Sequence, residues 1–183
     1  MTTATHYTRT AIALHWLTAL LIFATFPLGV YMSDLALSPF KLRLVSYHKW
    51  IGVTIFLLTV ARLAWRAAHI PPPLPGTIPL WQQRAAHGLH FVLYLLLLVA
   101  PISGWLMSSA KGVPVVYLGL VRLPDLVAKD KVLGDLLEEV HEVLVFGLLL
   151  LVGMHTAAAL KHHFIEHDAT LRRMLPFLKE RKP

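Results

Sequence analysis

The chain has 183 residues, 56% of them hydrophobic and only 15% charged, with a net charge of +7 and eleven histidines. An ordinary soluble domain carries about 25% charged residues, so this balance points to a membrane protein, and the positive charge to a membrane surface rather than to nucleic acid. The absence of cysteine excludes disulfides, thiolate ligation of haem and iron–sulfur clusters, leaving imidazole as the available metal ligand.

Four apolar runs follow one another within a single membrane domain, residues 1–183. A helix needs ~20 apolar residues to cross a bilayer. The first predicted span covers about 11–32, opens after Arg9 and holds Pro27, a kink position. Its apolar length, with His15 and Trp16 inside it and no small-residue cleavage site after it, argues against a cleavable signal peptide. A polar loop over residues 33–46 is expected next. The second span, about 47–65, has His48, Lys49 and Trp50 at its head and Arg62 at its tail. Five prolines and a glycine between Ile70 and Pro79 read as an extended connector. The third span, about 85–109, begins with His87 and His90 and contains Pro101. A mixed linker over 110–137 follows, its end, Asp130–Leu137, expected as a short surface helix. The fourth span runs over about 139–164 and a basic tail over 165–183.

With four spans, both termini share a side with the second loop. That side carries ten Lys and Arg against seven on the other, so the positive-inside rule gives N-in, C-in. The predicted fold class is therefore all-α integral membrane, a four-transmembrane-helix bundle. Trp16, Trp50, Trp65, Trp81 and Trp105 fall mostly near span ends, as an aromatic belt does.

The fourth span organises the rest. His141 and His155 lie fourteen residues apart, nearly a whole number of turns, and hence ~21 Å apart along one helix face. Ionisable side chains at such depth mark a functional site. By depth, His155 matches His15 near the cytoplasmic end, and His141 matches His48 near the outer end, both of these within the first turn or so of their spans. Two histidine pairs stacked across a bundle suit two haem groups, each held by two neutral imidazoles, and such ligation favours electron transfer over oxygen binding. His90 in place of His15 is an alternative. A single zinc or copper ion is a poorer fit, since the pairs are too far apart to share it and lack carboxylate or thiolate company. Gly29, Gly52, Gly104, Gly147 and Gly153 interrupt bulky spans and leave room for a flat macrocycle or for close helix packing.

The segments Arg9-Thr-Ala-Ile-Ala-Leu-His15-Trp16-Leu, His48-Lys-Trp-Ile-Gly52, Ala86-His87-Gly-Leu-His90, Val140-His141-Glu142, Gly153-Met-His155-Thr-Ala-Ala-Ala-Leu-Lys-His162-His163 and Asp168-Ala-Thr-Leu-Arg-Arg-Met-Leu-Pro176 resemble the bacterial cytochrome b561 family. The resemblance covers nearly the whole chain. It implies a multi-pass protein of the bacterial inner membrane with two haem b groups, their iron held by His15 with His155 and by His48 with His141. It also implies relation to the cytochrome subunits of hydrogenases. The member most resembled oxidises superoxide at the periplasmic face and passes the electrons to ubiquinone. The loops match least, so the alternative is an electron-transfer cytochrome b subunit linking a partner dehydrogenase or hydrogenase to the quinone pool.

Quinone reduction needs hydrogen bonds and two protons, which imidazoles supply near neutrality. His87, His90, His162 and His163 on the cytoplasmic side are the candidates, against the plainer role of capping helices or reaching headgroups. Arg62 and Arg66 suit haem propionates or lipid phosphate. On the outer side Lys41, Arg43, Lys49, Lys111 and Arg122 are candidates for guiding a small anion, though the seven basic residues of that side are balanced by seven acidic ones. His6, His69 and His167 read as solvated interface residues.

Overall fold

The computed structural model describes residues 7–73 and 78–175. The middle of the proline connector, His6 and the tail residues Lys179, Arg181 and Lys182 lie outside the described residues.

Four long helices form the protein: α1 (Arg9–Ser33), α2 (Pro39–Ala68), α3 (Leu80–Ala110) and α4 (Lys131–Phe164). All four are long and apolar enough to cross a membrane, with mean hydropathies of 1.9, 1.5, 2.0 and 2.3 over their best windows. Only 6–28% of each window is buried within the bundle, so most apolar side chains face outward, where lipid would cover them. The helices are defined at their starts by capping. Thr8, Ser38 and Asp130 accept from the backbone N–H groups of Ala11, Lys41 and Leu133, and Pro39 occupies the first turn of α2. Each such cap stabilises its helix by ~1 kcal/mol.

These caps lengthen two elements beyond their apolar runs. The stretch expected as a polar loop over 33–46 is helical from Pro39 onward. Asp130–Leu137 is not a separate surface helix, because nothing after the Asp130 cap breaks the helix and Lys131 onward runs straight into α4. His141 consequently sits ten residues into α4 instead of in its first turn. Pro27 and Pro101 remain within their helices.

The bundle consists of two packed hairpins, α1 on α2 and α3 on α4, joined by a smaller α2–α3 contact. The α1 and α4 backbones do not pack closely, and rings meet between them, including Phe26 with Phe146 at 5.4 Å between centres. At mid-height Ile22, Ile55, Leu93, Leu97 and Leu148 form a buried apolar plug. Leu148 stands seven residues from both His141 and His155, ~10 Å along the axis from each.

The α3–α4 linker is ordered, and a hairpin unforeseen from sequence lies within it: β1 (Val116–Tyr117) pairs antiparallel with β2 (Val121–Arg122). Leu118 and Gly119 turn at positive φ of 53° and 72°. The hairpin is bound to α2 by the Trp50 indole donating to the Val116 carbonyl at 2.7 Å and by Tyr117 Oη at 3.0 Å from Thr54 Oγ1. At the opposite end the segment after α4 folds back under the bundle. The Trp16 indole donates to the Met174 carbonyl at 2.7 Å, and Arg173 to the Pro73 carbonyl at 2.5 Å.

Candidate functional site

The hairpin arrangement brings the four deep histidines together two by two. His48 of α2 faces His141 of α4 with ring centres 6.3 Å apart, at the end capped by the 110–130 linker. His15 of α1 faces His155 of α4 at 6.2 Å, near the end that holds the chain's termini. His90 of α3 lies 5.1 Å from His155, and all these contacts are edge-on.

These spacings can be tested against a metal between the rings. An imidazole nitrogen sits ~2.0 Å from a bound metal and its ring centre ~1.1 Å further back, so two axial imidazoles place their centres ~6 Å apart. The His48–His141 and His15–His155 pairs meet that spacing. His90 stands about 1 Å too close to His155 to have an iron between them, which favours His15 as the partner. The surroundings agree with the donor set. His15 Nδ1 is buried with no hydrogen-bond partner among the described residues, a group that must be accounted for. Gly29 and Gly104 lie against the His48–His141 pair, where an added Cβ would come within 3.0 Å of His48 Cε1 and 3.1 Å of His141 Cε1. Those two glycines make room for imidazoles. Gly52, by contrast, lines the open space beside them, with nothing within 4 Å of its missing Cβ. Gly147 and Gly153 likewise have nothing within 4 Å.

That open space is a cavity of about 340 Å³ lined by Thr25, Phe26, Gly29, His48, His141 and Phe146, with Glu138 and Glu142 at its rim. A second cavity, of about 430 Å³, lies at the termini end. Tyr7, Arg62, Arg66, His69, His87, His90 and Tyr94 line it. Arg62 is placed by its guanidinium, 5.2 Å from the Tyr94 ring centre.

The remaining candidates separate. His87 and His90 share the termini-end cavity, whereas His162 and His163 are absent from its lining among the described residues. His162 Nδ1 lies 2.6 Å from both a Glu166 and an Asp168 oxygen, and Lys161 pairs with Glu166 at 2.7 Å. The Lys161 hydrogen bond draws the Glu166 carboxyl below its usual range. Partial burial pushes Asp168 up, but hydrogen bonds from Thr170 and His162 outweigh it and hold that carboxyl low. This cluster ties the returning tail to the end of α4. Sequence patterning missed it because Asp168 reaches His162 only after the chain reverses.

Among the outer basic candidates, Lys111 is paired with Glu138 and Arg122 with Asp125 at 3.4 Å. Lys41 donates to the carbonyls of Ser33 and Leu35, and Lys49 to those of Val113 and Pro114, so both keep an uncompensated charge.

Four membrane-length helices presenting stacked imidazole pairs define the class of membrane electron-transfer cytochromes. The chain belongs to the prokaryotic cytochrome b561 family, whose model matches residues 6–177. Members bind haem b and are oxidoreductases of bacterial membranes. It is 38% identical to cytochrome b561 homolog 2 of Escherichia coli over 165 residues, covering 89% of this chain and 87% of that protein. It is 29% identical to cytochrome b561 homolog 1 of the same organism, over 93% of this chain and 97% of the other. It is also 30% identical to a Yersinia pestis protein named probable superoxide oxidase CybB, over 93% of this chain and 96% of that one.

Proposed function

We propose that the chain holds two haem b groups, one on His48 and His141 and one on His15 and His155, and carries electrons from superoxide to ubiquinone. The protein lies in the bacterial inner membrane with both termini in the cytoplasm, so the first pair is periplasmic. The observation that carries this reading is the pair of ring spacings, 6.3 and 6.2 Å, at opposite ends of one bundle and sharing α4. Held by two imidazoles, the haem iron would supply one-electron chemistry and would leave no position for oxygen to bind. The name of the Yersinia pestis relative supports superoxide as donor.

The chain's own residues then have distinct tasks. Two superoxide anions each give up one electron and leave as oxygen. Lys41, Arg43 and Lys49 raise the encounter rate at the outer face, since none pairs with a carboxylate among the described residues. Ubiquinone takes both electrons and two protons in the termini-end cavity, where His87 and His90 hydrogen-bond it and relay the protons. The mid-height plug of Ile22, Ile55, Leu93, Leu97 and Leu148 keeps water and protons from crossing with the electrons.

A second reading has one observation in its favour. Glu138 and Glu142 line the outer cavity and oppose an anion, which suits docking of a partner dehydrogenase or hydrogenase instead. Stopped-flow mixing of the purified holoprotein with superoxide separates the two. Haem reduction faster than spontaneous dismutation, followed by reoxidation on adding ubiquinone, is expected. Haem reduction no faster than dismutation at low salt leaves the partner-subunit reading.

A further inference from the structure

The two histidine pairs match in spacing and differ in what holds the rings. His141 Nδ1 lies 2.9 Å from Ser103 Oγ and 3.0 Å from the Ala100 carbonyl oxygen. Ser103 Oγ in turn donates to that same carbonyl at 2.8 Å. A carbonyl oxygen only accepts, so His141 Nδ1 carries the ring proton, and Nε2 keeps the free lone pair. The serine hydroxyl sends its hydrogen to Ala100 and offers a lone pair to Nδ1–H, closing a triangle around the ring's rear edge. Ser103 is 4% exposed, so water does not compete for these bonds. Across the cavity, Thr25 Oγ1 lies 3.2 Å from His48 Nδ1. Both outer imidazoles are thus held from behind, while His15 Nδ1 in the other pair is buried without a partner among the described residues.

We propose that Ser103 is a positioning residue that lowers the reduction potential of the haem held by His48 and His141, and so sets the downhill direction towards the other end. This rests on the ligation proposed above. An imidazole that donates its rear N–H to an acceptor is a more basic ligand, and a more basic ligand favours ferric over ferrous iron. Thr25 acts on the facing ring in the same sense. The fixed charges add to the difference. Glu138 and Glu142 rim the outer cavity, though Lys111 offsets Glu138 and Lys49 neighbours His48. At the inner pair the Arg62 guanidinium acts on His15, His90 and His155, and a nearby cation favours the reduced state. Electrons entering beside Ser103 therefore fall towards Arg62.

Redox titration of the purified holoprotein, read from the haem absorbance and resolved into its components, tests this. Ser103→Ala should move one haem about tenfold towards the ferrous form at a given applied potential, a rise of ~59 mV for one electron. Ser103→Thr restores the hydroxyl and should return the potential towards its starting value. Thr25→Val should raise the same component and leave the other alone. That component must be the one lost in His141→Ala. Unmoved potentials in both Ser103→Ala and Thr25→Val, with the spectrum of two low-spin haems intact, overturn the role of the hydroxyls and leave the ligation standing. A shift in the component lost in His15→Ala overturns it equally. If Ser103→Ala does not assemble, Thr25→Val alone decides. Two intact low-spin haems in His141→Ala would instead remove the ligation itself.

Discussion

Gly104→Ala puts a methyl group against the His141 ring. The added Cβ would lie 3.1 Å from Cε1, 3.3 Å from Nδ1 and 3.7 Å from Nε2, where ordinary contact begins at 3.4 Å. The ring must therefore retreat by a few tenths of an ångström. It cannot turn freely, because Ser103 and Ala100 hold Nδ1 from behind. Either those bonds lengthen or Nε2 moves off its place opposite His48. Metal–ligand distances tolerate only ~0.2 Å, so the retreat falls at the limit of what an iron bond accepts. Disturbing a ligand's support typically lowers metal affinity 10–100-fold, and about tenfold is expected here.

The fold should survive the change. Alanine is favoured over glycine inside a helix by ~1 kcal/mol, which offsets the strain of the contact. The expected result is full expression with one haem under-occupied or partly high-spin, read as the haem-to-protein ratio and the oxidised spectrum. Gly88→Ala is the control, since nothing lies within 4 Å of its Cβ position. Two fully occupied low-spin haems in Gly104→Ala, indistinguishable from Gly88→Ala, would refute the placement of His141 as a ligand.

The inner pair gives a non-additive expectation. His15→Ala and His155→Ala should each remove the same spectral component, and the double variant should do little more than either, whereas His90→Ala reproducing the His155→Ala spectrum would make His90 the partner. The cluster that holds the returning tail gives a pH dependence. Because the Asp168 carboxyl is held low in the folded chain, its contribution is complete above the ordinary carboxylate range and is lost as pH falls through its lowered value. Asp168→Asn should loosen the tail at neutral pH and speed tryptic cleavage at Arg172 and Arg173, and unchanged cleavage would count against the latch. For the electron path, His87→Ala and His90→Ala should slow haem reoxidation by ubiquinone while haem reduction by superoxide stays fast. Added salt should slow the superoxide step and spare the quinone step, and equal slowing of both would count against separate sites.

The spans were legible because their apolar length has no other reading, and the two pairings followed from counting turns along α4. The count worked because an α-helix is stiff: fourteen residues make ~3.9 turns, so His141 and His155 leave nearly the same face. Helix ends were less legible: Pro39–Ser46 resembles a loop and Lys131–Leu137 a separate short helix, yet the Ser38 and Asp130 caps start α2 and α4 ahead of them. The hairpin was invisible in sequence, because strands of two residues leave no alternation to read. The least legible features were contacts between helices. Nothing in the spacing of Ser103 and His141 shows that a serine on α3 would stand behind an imidazole on α4. His162 stands in the tail cluster and His87 in the cavity wall for a related reason, as depth along a helix says nothing about the direction a ring faces.

Depth and direction also explain why one helix supplies a histidine to each pair. A separation fixed within α4 does not change when the hairpins shift against each other, because ~21 Å of helix lies between the two imidazoles and Leu148 stands midway. The facing histidines come from different elements, His48 from α2 and His15 from α1, so each end can adjust separately. The surroundings are then free to diverge: Ser103, Thr25 and two carboxylates stand at one end, a guanidinium and an imidazole nitrogen buried without a partner among the described residues at the other. Under the proposed ligation, equal spacing makes both ends fit for the same cofactor, and unequal surroundings give the pair a direction. A symmetric bundle with the same four histidines would bind as well and conduct equally in both senses.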